Sequence, residues 1–183
     1  MFYLDTQTNQ RYTVGTAFTY NNKQYPKTSA TNAKFTALGF TQVTVPPKPD
    51  ERFYVVEGPN DSGQYTTTER DLADLKDKFI KEVKLAAFNL LKGTDWYVIR
   101  ALEVPAAFTV PADVITFRAQ IRTVNETRCN QINACTTVAQ LETLITAEVY
   151  IVDEPDGAMI QNPAALTAFP SAPSSATTYS TYY

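Results

Sequence analysis

The feature that most constrains the fold is the periodic spacing of apolar residues between Asp71 and Ala147. In the first part of this stretch they recur about every 3.6 residues, the repeat of a helix with one buried face; they are Leu72, Leu75, Phe79, Val83, Ala86, Ala87, Leu90 and Leu91. Thr68 or Asp71 is placed to cap this helix and Gly93 to end it. We predict a long amphipathic helix whose length of roughly 30 Å allows sharing with further copies of the chain.

A short helix is predicted directly after Gly93. Thr94 stands at its N-cap position, and its apolar residues follow at helical spacing in the order Trp96, Ile99, Leu102. Trp96 is the only tryptophan, and we predict that it is buried and anchors this helix against a long one. Arg100 is predicted to lay its stem over apolar surface with its head near a carboxylate.

A second long helix is predicted after Pro111, a residue that the first helical turn accepts. Its apolar face is formed by Val114, Phe117, Ile121, Val124 and Ile132. Arg118 and Arg122 are four residues apart and share a face, which can be solvated, paired internally or available to a carboxylate or phosphate. Thr137 and Gln140 fit a capping box that opens one more short helix.

The N-terminal residues 1–67 predict a small β-rich head. Asn21-Asn22 suits a two-residue hairpin turn, and residues 33–38 suit a short helix ended by Gly39. Aromatic residues in such strands usually pack a core; the alternative is a carbohydrate-binding face formed by Tyr12, Phe18, Tyr20 and Tyr25.

The C-terminal residues 148–183 predict an extended tail, with a further strand at 148–152. From residue 162 onward the tail is rich in Pro, Ala, Ser and Thr and carries no charge. We expect it to dock on a partner through Phe169, Tyr179, Tyr182 and Tyr183. The whole chain is therefore predicted to be α+β, with a head at 1–67, a helical hairpin or three-helix module at 68–147 and this tail.

Composition argues against catalysis and against several partners. The chain has no histidine, which removes His-dependent nucleophilic catalysis and His-ligated metal sites. We expect no enzyme activity, cofactor or metal; glycan hydrolysis by paired carboxylates is the alternative, at Asp50-Glu51 or Asp153-Glu154. A net charge of −3 gives no nucleic-acid footprint. We expect neither a transmembrane helix nor a secretory signal.

The two cysteines, Cys129 and Cys135, fall in a stretch that the pattern predicts to be helical. Six residues of helix separate them by about 9 Å along the axis. A disulfide needs Cα atoms within about 7 Å, so an internal bond is not expected. A reduced, partly buried pair is one interpretation, and a bridge to a neighbouring subunit is the other.

The run LLKGTDWYVIRALE…VPADVITFRAQIRTVN…ACTTVAQLETL, residues 90–144, resembles a module of tailed bacteriophages. That module recurs in tail-fibre assembly chaperones and at the ends or in accessory subunits of tail fibres. The stretches LGFTQV (38–43) and PDERFY (49–54) are loosely similar to regions that precede it. The matching residues are Leu90, Thr94, Asp95, Trp96, Arg100, Pro111, Phe117 (where tyrosine is common), Arg118 and Arg122.

The resemblance implies a structural component of a phage virion, made in the host cytoplasm and placed in the tail as a tail-fibre or baseplate-associated subunit. Its expected partners are other phage tail proteins or further copies of itself, with a host-surface glycan as an additional candidate. A fibre assembly chaperone that leaves before maturation is the alternative. The candidate packing and interface residues are Leu75, Phe79, Trp96, Tyr97, Arg100, Phe117, Arg118 and Arg122.

Overall fold

The computed structural model describes residues 1–153 and 158–177, and the chain divides into two compact units, Met1–Glu69 and Arg70–Tyr183. The first unit is built from short antiparallel strands and one short α-helix, and the second mainly from helices. The chain is therefore α+β, as its sequence predicts.

Short antiparallel strands form the first unit, all of whose residues are described. The strands are β1 (Phe2–Asp5), β2 (Gln10–Tyr12), β3 (Phe18–Tyr20), β4 (Lys23–Tyr25), β5 (Thr41–Val43), β6 (Tyr54–Glu57) and β7 (Thr66–Glu69). A three-stranded sheet has the order β2-β1-β5, and two separate hairpins pair β3 with β4 and β6 with β7. The helix α1 (Asn32–Ala37) lies between β4 and β5 in the chain.

The predicted local signals of this unit are confirmed. Asn21 and Asn22 have positive φ angles of 49° and 60° between β3 and β4, as a two-residue hairpin turn requires. The predicted short helix is α1, and the Thr31 side chain caps it by accepting a hydrogen bond from the Lys34 amide. Gly39, at a φ of 81°, follows the end of that helix.

Aromatic side chains pack the core of the first unit. Tyr3, Tyr12, Phe35 and Phe40 are buried together with Ala30, and the side chains packed against them are Phe18, Tyr20 and Leu38. The rings of Tyr12 and Phe40 stack at 4.7 Å between centroids. Three of the four aromatics considered for a carbohydrate-binding face therefore contribute to this core, and the fourth, Tyr25, is not among them.

The second unit contains the predicted helices. Of the two caps considered for the first long helix, Asp71 is the one that accepts a hydrogen bond, from the Asp74 amide. The predicted cap at Thr137 is confirmed, since its side chain accepts a hydrogen bond from the Gln140 amide. The elements in its described part are α2 (Leu72–Lys92), α3 (Asp95–Glu103), α4 (Ala112–Ala134), α5 (Val138–Thr146), β8 (Tyr150–Asp153), β9 (Ala158–Gln161) and α6 (Ser174–Thr177).

The long helices α2 and α4 pack antiparallel. Lys76, near the start of α2, donates to the Asn133 carbonyl at the end of α4. Arg118, near the start of α4, donates to the Leu91 carbonyl at the end of α2. The core between the ends is formed by Leu75, Phe79, Val83 and Ala87 of α2 and by Val114, Phe117, Ile121 and Ile132 of α4.

The buried stripe of α2 is narrower than its apolar pattern. The buried residues are spaced by four, and each such step turns about 40° beyond a full helical turn. The buried face therefore rotates around the helix from its start to its end. Leu90 is left exposed as a result, although the sequence pattern assigns it to the buried face. Within the described residues, no helix is both long and apolar enough to cross a membrane.

Candidate functional site

Arg118 joins three segments of the helical unit. Its Nη1 donates to the Leu91 carbonyl at 3.0 Å, to Thr94 Oγ1 at 2.7 Å and to Asp95 Oδ1 at 2.8 Å. The side chain of Arg118 is only 13% exposed. Thr94 itself is buried and donates its hydroxyl to the Leu91 carbonyl. Thr94 is the N-cap residue of α3, as predicted, but its side chain makes no cap hydrogen bond to that helix. Its hydroxyl oxygen accepts from Arg118 instead.

Tyr97 is the buried aromatic residue of α3. Its exposure is 0%, and its hydroxyl donates to the Ser175 carbonyl at 2.7 Å. Trp96 is half-buried, with its ring against those of Tyr97 and Phe108. The prediction that Trp96 is the buried anchor is wrong. Side chains of adjacent helix residues point about 100° apart, and in α3 it is the Tyr97 side chain that points into the core.

Arg100 lies beside an aromatic ring and forms no ion pair with a carboxylate in the described part of the chain. Its guanidinium carbon is 5.4 Å from the centroid of the Phe108 ring, an arrangement favoured by the ring's negative face. Arg122 is exposed, and its Nη1 donates to the Arg118 carbonyl at 3.3 Å. Of the two arginines predicted to share a face, Arg118 is therefore paired within its own chain, whereas Arg122 lies at the surface.

The apolar residues that α3 turns outward form an exposed pair. Ile99 and Leu102 are 54% and 78% exposed, and they are neighbours on the helix surface because they are three residues apart. The sequence pattern assigned both to the packing face of α3. With Tyr97 facing inward, that face points to solvent.

A second exposed pair, Leu85 and Phe88, lies on α2. These side chains are 59% and 57% exposed and are also three residues apart. The charged residues three or four positions from the pair are three lysines, Lys81, Lys84 and Lys92, and one glutamate, Glu82, so the surrounding charge is net positive. Single exposed apolar residues are common on protein surfaces, whereas contiguous ones mark contact sites. We refer to Leu85, Phe88, Ile99 and Leu102 as the exposed apolar pairs.

Residues 167–175 lie along the helices of their own chain. Arg128 donates to the Thr167 carbonyl, and its guanidinium carbon is 3.9 Å from the centroid of the Phe169 ring. Phe169 also packs against the buried cluster that contains Phe117. The structure therefore places Phe169 on its own helices. Tyr179, Tyr182 and Tyr183, named with it for docking, lie outside the described residues.

Asp113 holds the end of this segment. Its carboxylate accepts hydrogen bonds from the Ser175 amide at 3.0 Å and the Ser175 hydroxyl at 2.8 Å, and a longer one from Ser174. The hydrogen bonds from Ser175 lower the pKa of Asp113 below its usual value. The charged form of Asp113 therefore favours the docked segment.

The two cysteines differ in their surroundings. Cys129 is half-buried on α4, and Cys135 is buried directly after the end of that helix. The Cys135 thiol donates to the Gln131 carbonyl at 3.5 Å, and burial raises its pKa. Cys129 is the more accessible thiol, so a bridge to a neighbouring subunit remains a prediction with Cys129 as its better candidate.

Of the carboxylates considered for hydrolysis, Asp50 and Glu51 each pair with a cation. Asp50 binds the guanidinium of Arg52, and Glu51 binds the ammonium of Lys48. Asp153 ends β8, and Glu154 lies outside the described residues. Among the described residues, no group of three Asp, Glu or Cys side chains is placed to hold a metal ion.

Comparison of the chain with protein-family models, with curated proteins and with solved structures gives no match. The resemblance of residues 90–144 to a phage tail-fibre module therefore remains a prediction from the sequence. The functional argument rests on the contacts and exposed surfaces of the chain itself.

Proposed function

We propose that the protein is a structural component of a bacteriophage virion, a tail-fibre or baseplate-associated subunit that acts through protein–protein contacts. The observation that carries the proposal is the pair of outward-facing apolar surfaces on the helical unit. They lie in or beside the stretch of sequence that resembles the phage module. Solvated apolar surface of this kind favours a partner that covers it.

The charges around Leu85 and Phe88 favour an acidic partner at that surface. A two-fold contact between copies centred on this pair would bring Lys81, Lys84 and Lys92 of each copy close to those of the other. Like charges in a partly desolvated contact repel one another. A neighbouring subunit that offers apolar and acidic side chains fits this surface better.

Substitution of the α2 pair tests this assignment. The double variant Leu85→Ser/Phe88→Ser changes only exposed side chains, so its circular dichroism spectrum should match that of the unchanged protein. Its amount in purified particles, measured by quantitative mass spectrometry, should fall severalfold. Val14→Ser, which alters an exposed apolar residue of the first unit, serves as the control. Unchanged incorporation of the double variant would rule out this surface as the contact.

A second candidate is a fibre assembly chaperone that is not retained in the particle. It is supported by the resemblance of residues 90–144 to the module, because that module also occurs in tail-fibre assembly chaperones. Co-expression separates the two roles. A chaperone raises the yield of soluble fibre protein and is absent from the finished particle, whereas a virion subunit is retained.

A further inference from the structure

The first unit contains a long segment without any acidic residue. Residues 6–49 include Arg11, Lys23, Lys27, Lys34 and Lys48 but no aspartate or glutamate. Arg11 pairs with Asp61 and Lys48 with Glu51. Within the described part of the chain the other three lysines form no ion pair, so their positive charge is available to an external group.

Two of these lysines converge on one aromatic ring. The Nζ atoms of Lys23 and Lys34 lie 5.5 Å and 5.2 Å from the centroid of the Tyr25 ring. Lys23 comes from β4 and Lys34 from α1, so the hairpin and the helix each supply one ammonium. Phe18 pairs with Tyr25 across the hairpin, and its ring stacks on that of Tyr25 at 4.7 Å and 6°. The stack holds the Tyr25 ring in a fixed orientation near the two ammonium groups.

An open groove of about 440 Å³ lies at this place. Its walls include hydroxyl and amide groups beside the two ammonium groups, and no carboxylate. Such a surface offers an anion two charge-assisted hydrogen bonds and offers neighbouring hydroxyls polar partners. The lining residues that supply these groups are Lys23, Gln24, Tyr25, Thr28, Ser29 and Lys34.

We propose that this groove binds an acidic carbohydrate. The carboxylate of a uronic-acid-type sugar binds Lys23 and Lys34, and its hydroxyls bind the polar side chains. Single-stranded nucleic acid fits less well, since its bases stack on successive accessible rings and Phe18 here is stacked on Tyr25. The proposal does not depend on the assembly role, which concerns the other unit.

The test is isothermal titration of the full chain at low ionic strength, where exposed charges are least screened. The probe is oligogalacturonate, with a neutral galactose oligomer and a single-stranded DNA oligonucleotide as comparison ligands. We expect binding of oligogalacturonate and at least about tenfold weaker binding of both others. Equal binding of the neutral oligomer, equal or tighter binding of DNA, or no binding of oligogalacturonate overturns the proposal.

Matched lysine variants locate the site. Lys34→Gln should weaken oligogalacturonate binding by about tenfold, the equivalent of one charge-assisted hydrogen bond. Lys27→Gln removes the same charge from the same segment but lies outside the groove, and should change binding by less than about twofold. Equal losses in the two variants would indicate general attraction to a basic surface and would refute a site at Tyr25.

Discussion

Replacing Arg118 by methionine removes the charged group that joins α4 to the end of α2 and the start of α3. The stem is largely retained, so the cost comes from the lost hydrogen bonds. Asp95 is 45% exposed, and its ion pair contributes at most about 1 kcal/mol. The contact with buried Thr94 adds about 1–2 kcal/mol. The Leu91 carbonyl keeps its hydrogen bonds from the Thr94 amide and hydroxyl, so it adds little.

We therefore expect Arg118→Met to lower the free energy of unfolding by about 2–3 kcal/mol, which corresponds to about 4 °C in Tm for each kcal/mol in a unit of this size. Fluorescence of Trp96, the only tryptophan, follows unfolding of the helical unit by itself. Arg122→Met is the matched control, because Arg122 is exposed and makes one long hydrogen bond; it should cost less than about 0.5 kcal/mol. Equal stability of the two variants would refute the role given to Arg118.

Three further predictions concern the same unit. Tyr97→Ala should cost about 3–5 kcal/mol in urea unfolding followed by circular dichroism, and Trp96→Ala clearly less, because only Tyr97 is fully buried; equal costs would contradict this. Hydrogen bonds from Ser175 hold the pKa of Asp113 below its usual value in the folded protein. Its stabilisation is therefore present above the unfolded pKa and is lost as the pH falls through the folded pKa; thermal unfolding of Asp113→Asn should lack this acid-side loss. Asn125 Oδ1 is buried without a hydrogen-bond partner among the described residues, so Asn125→Leu should raise the free energy of unfolding by about 1 kcal/mol, and a lower Tm would show that the site is solvated.

The helices and turns could be predicted because their signals are local. Asp71 and Thr137 each cap a helix that begins at the next residue, and the Asn21-Asn22 turn depends only on its own backbone. These features need no knowledge of distant parts of the chain. They determine where elements begin and end.

The orientation of α3 could not be predicted in the same way. Trp96 and Tyr97 are both large aromatic residues, so either could face the core. Contacts with Arg118 and Ser175, which come from distant parts of the sequence, determine which side of α3 faces inward. The docking of Phe169 beside Arg128 is equally non-local. Interactions of this range leave no periodic signal in a single sequence.

The groove at Tyr25 could be predicted only in part from the sequence. The absence of acidic residues from positions 6–49 is visible in the sequence and indicates a basic surface. The convergence of Lys23 and Lys34 on one ring depends on the packing of α1 near the β3-β4 hairpin. Counting acidic and basic residues along the sequence identifies the basic region but not the groove.

Quantitative mass spectrometry of purified phage particles, released from cells that produce this protein, tests the central proposal most directly. A virion subunit should be present in a fixed ratio to the other tail proteins and should remain through density-gradient purification. Absence of the protein from the particles would contradict a structural role in the virion. Its removal during purification to the same extent as free cytoplasmic proteins would contradict that role as well.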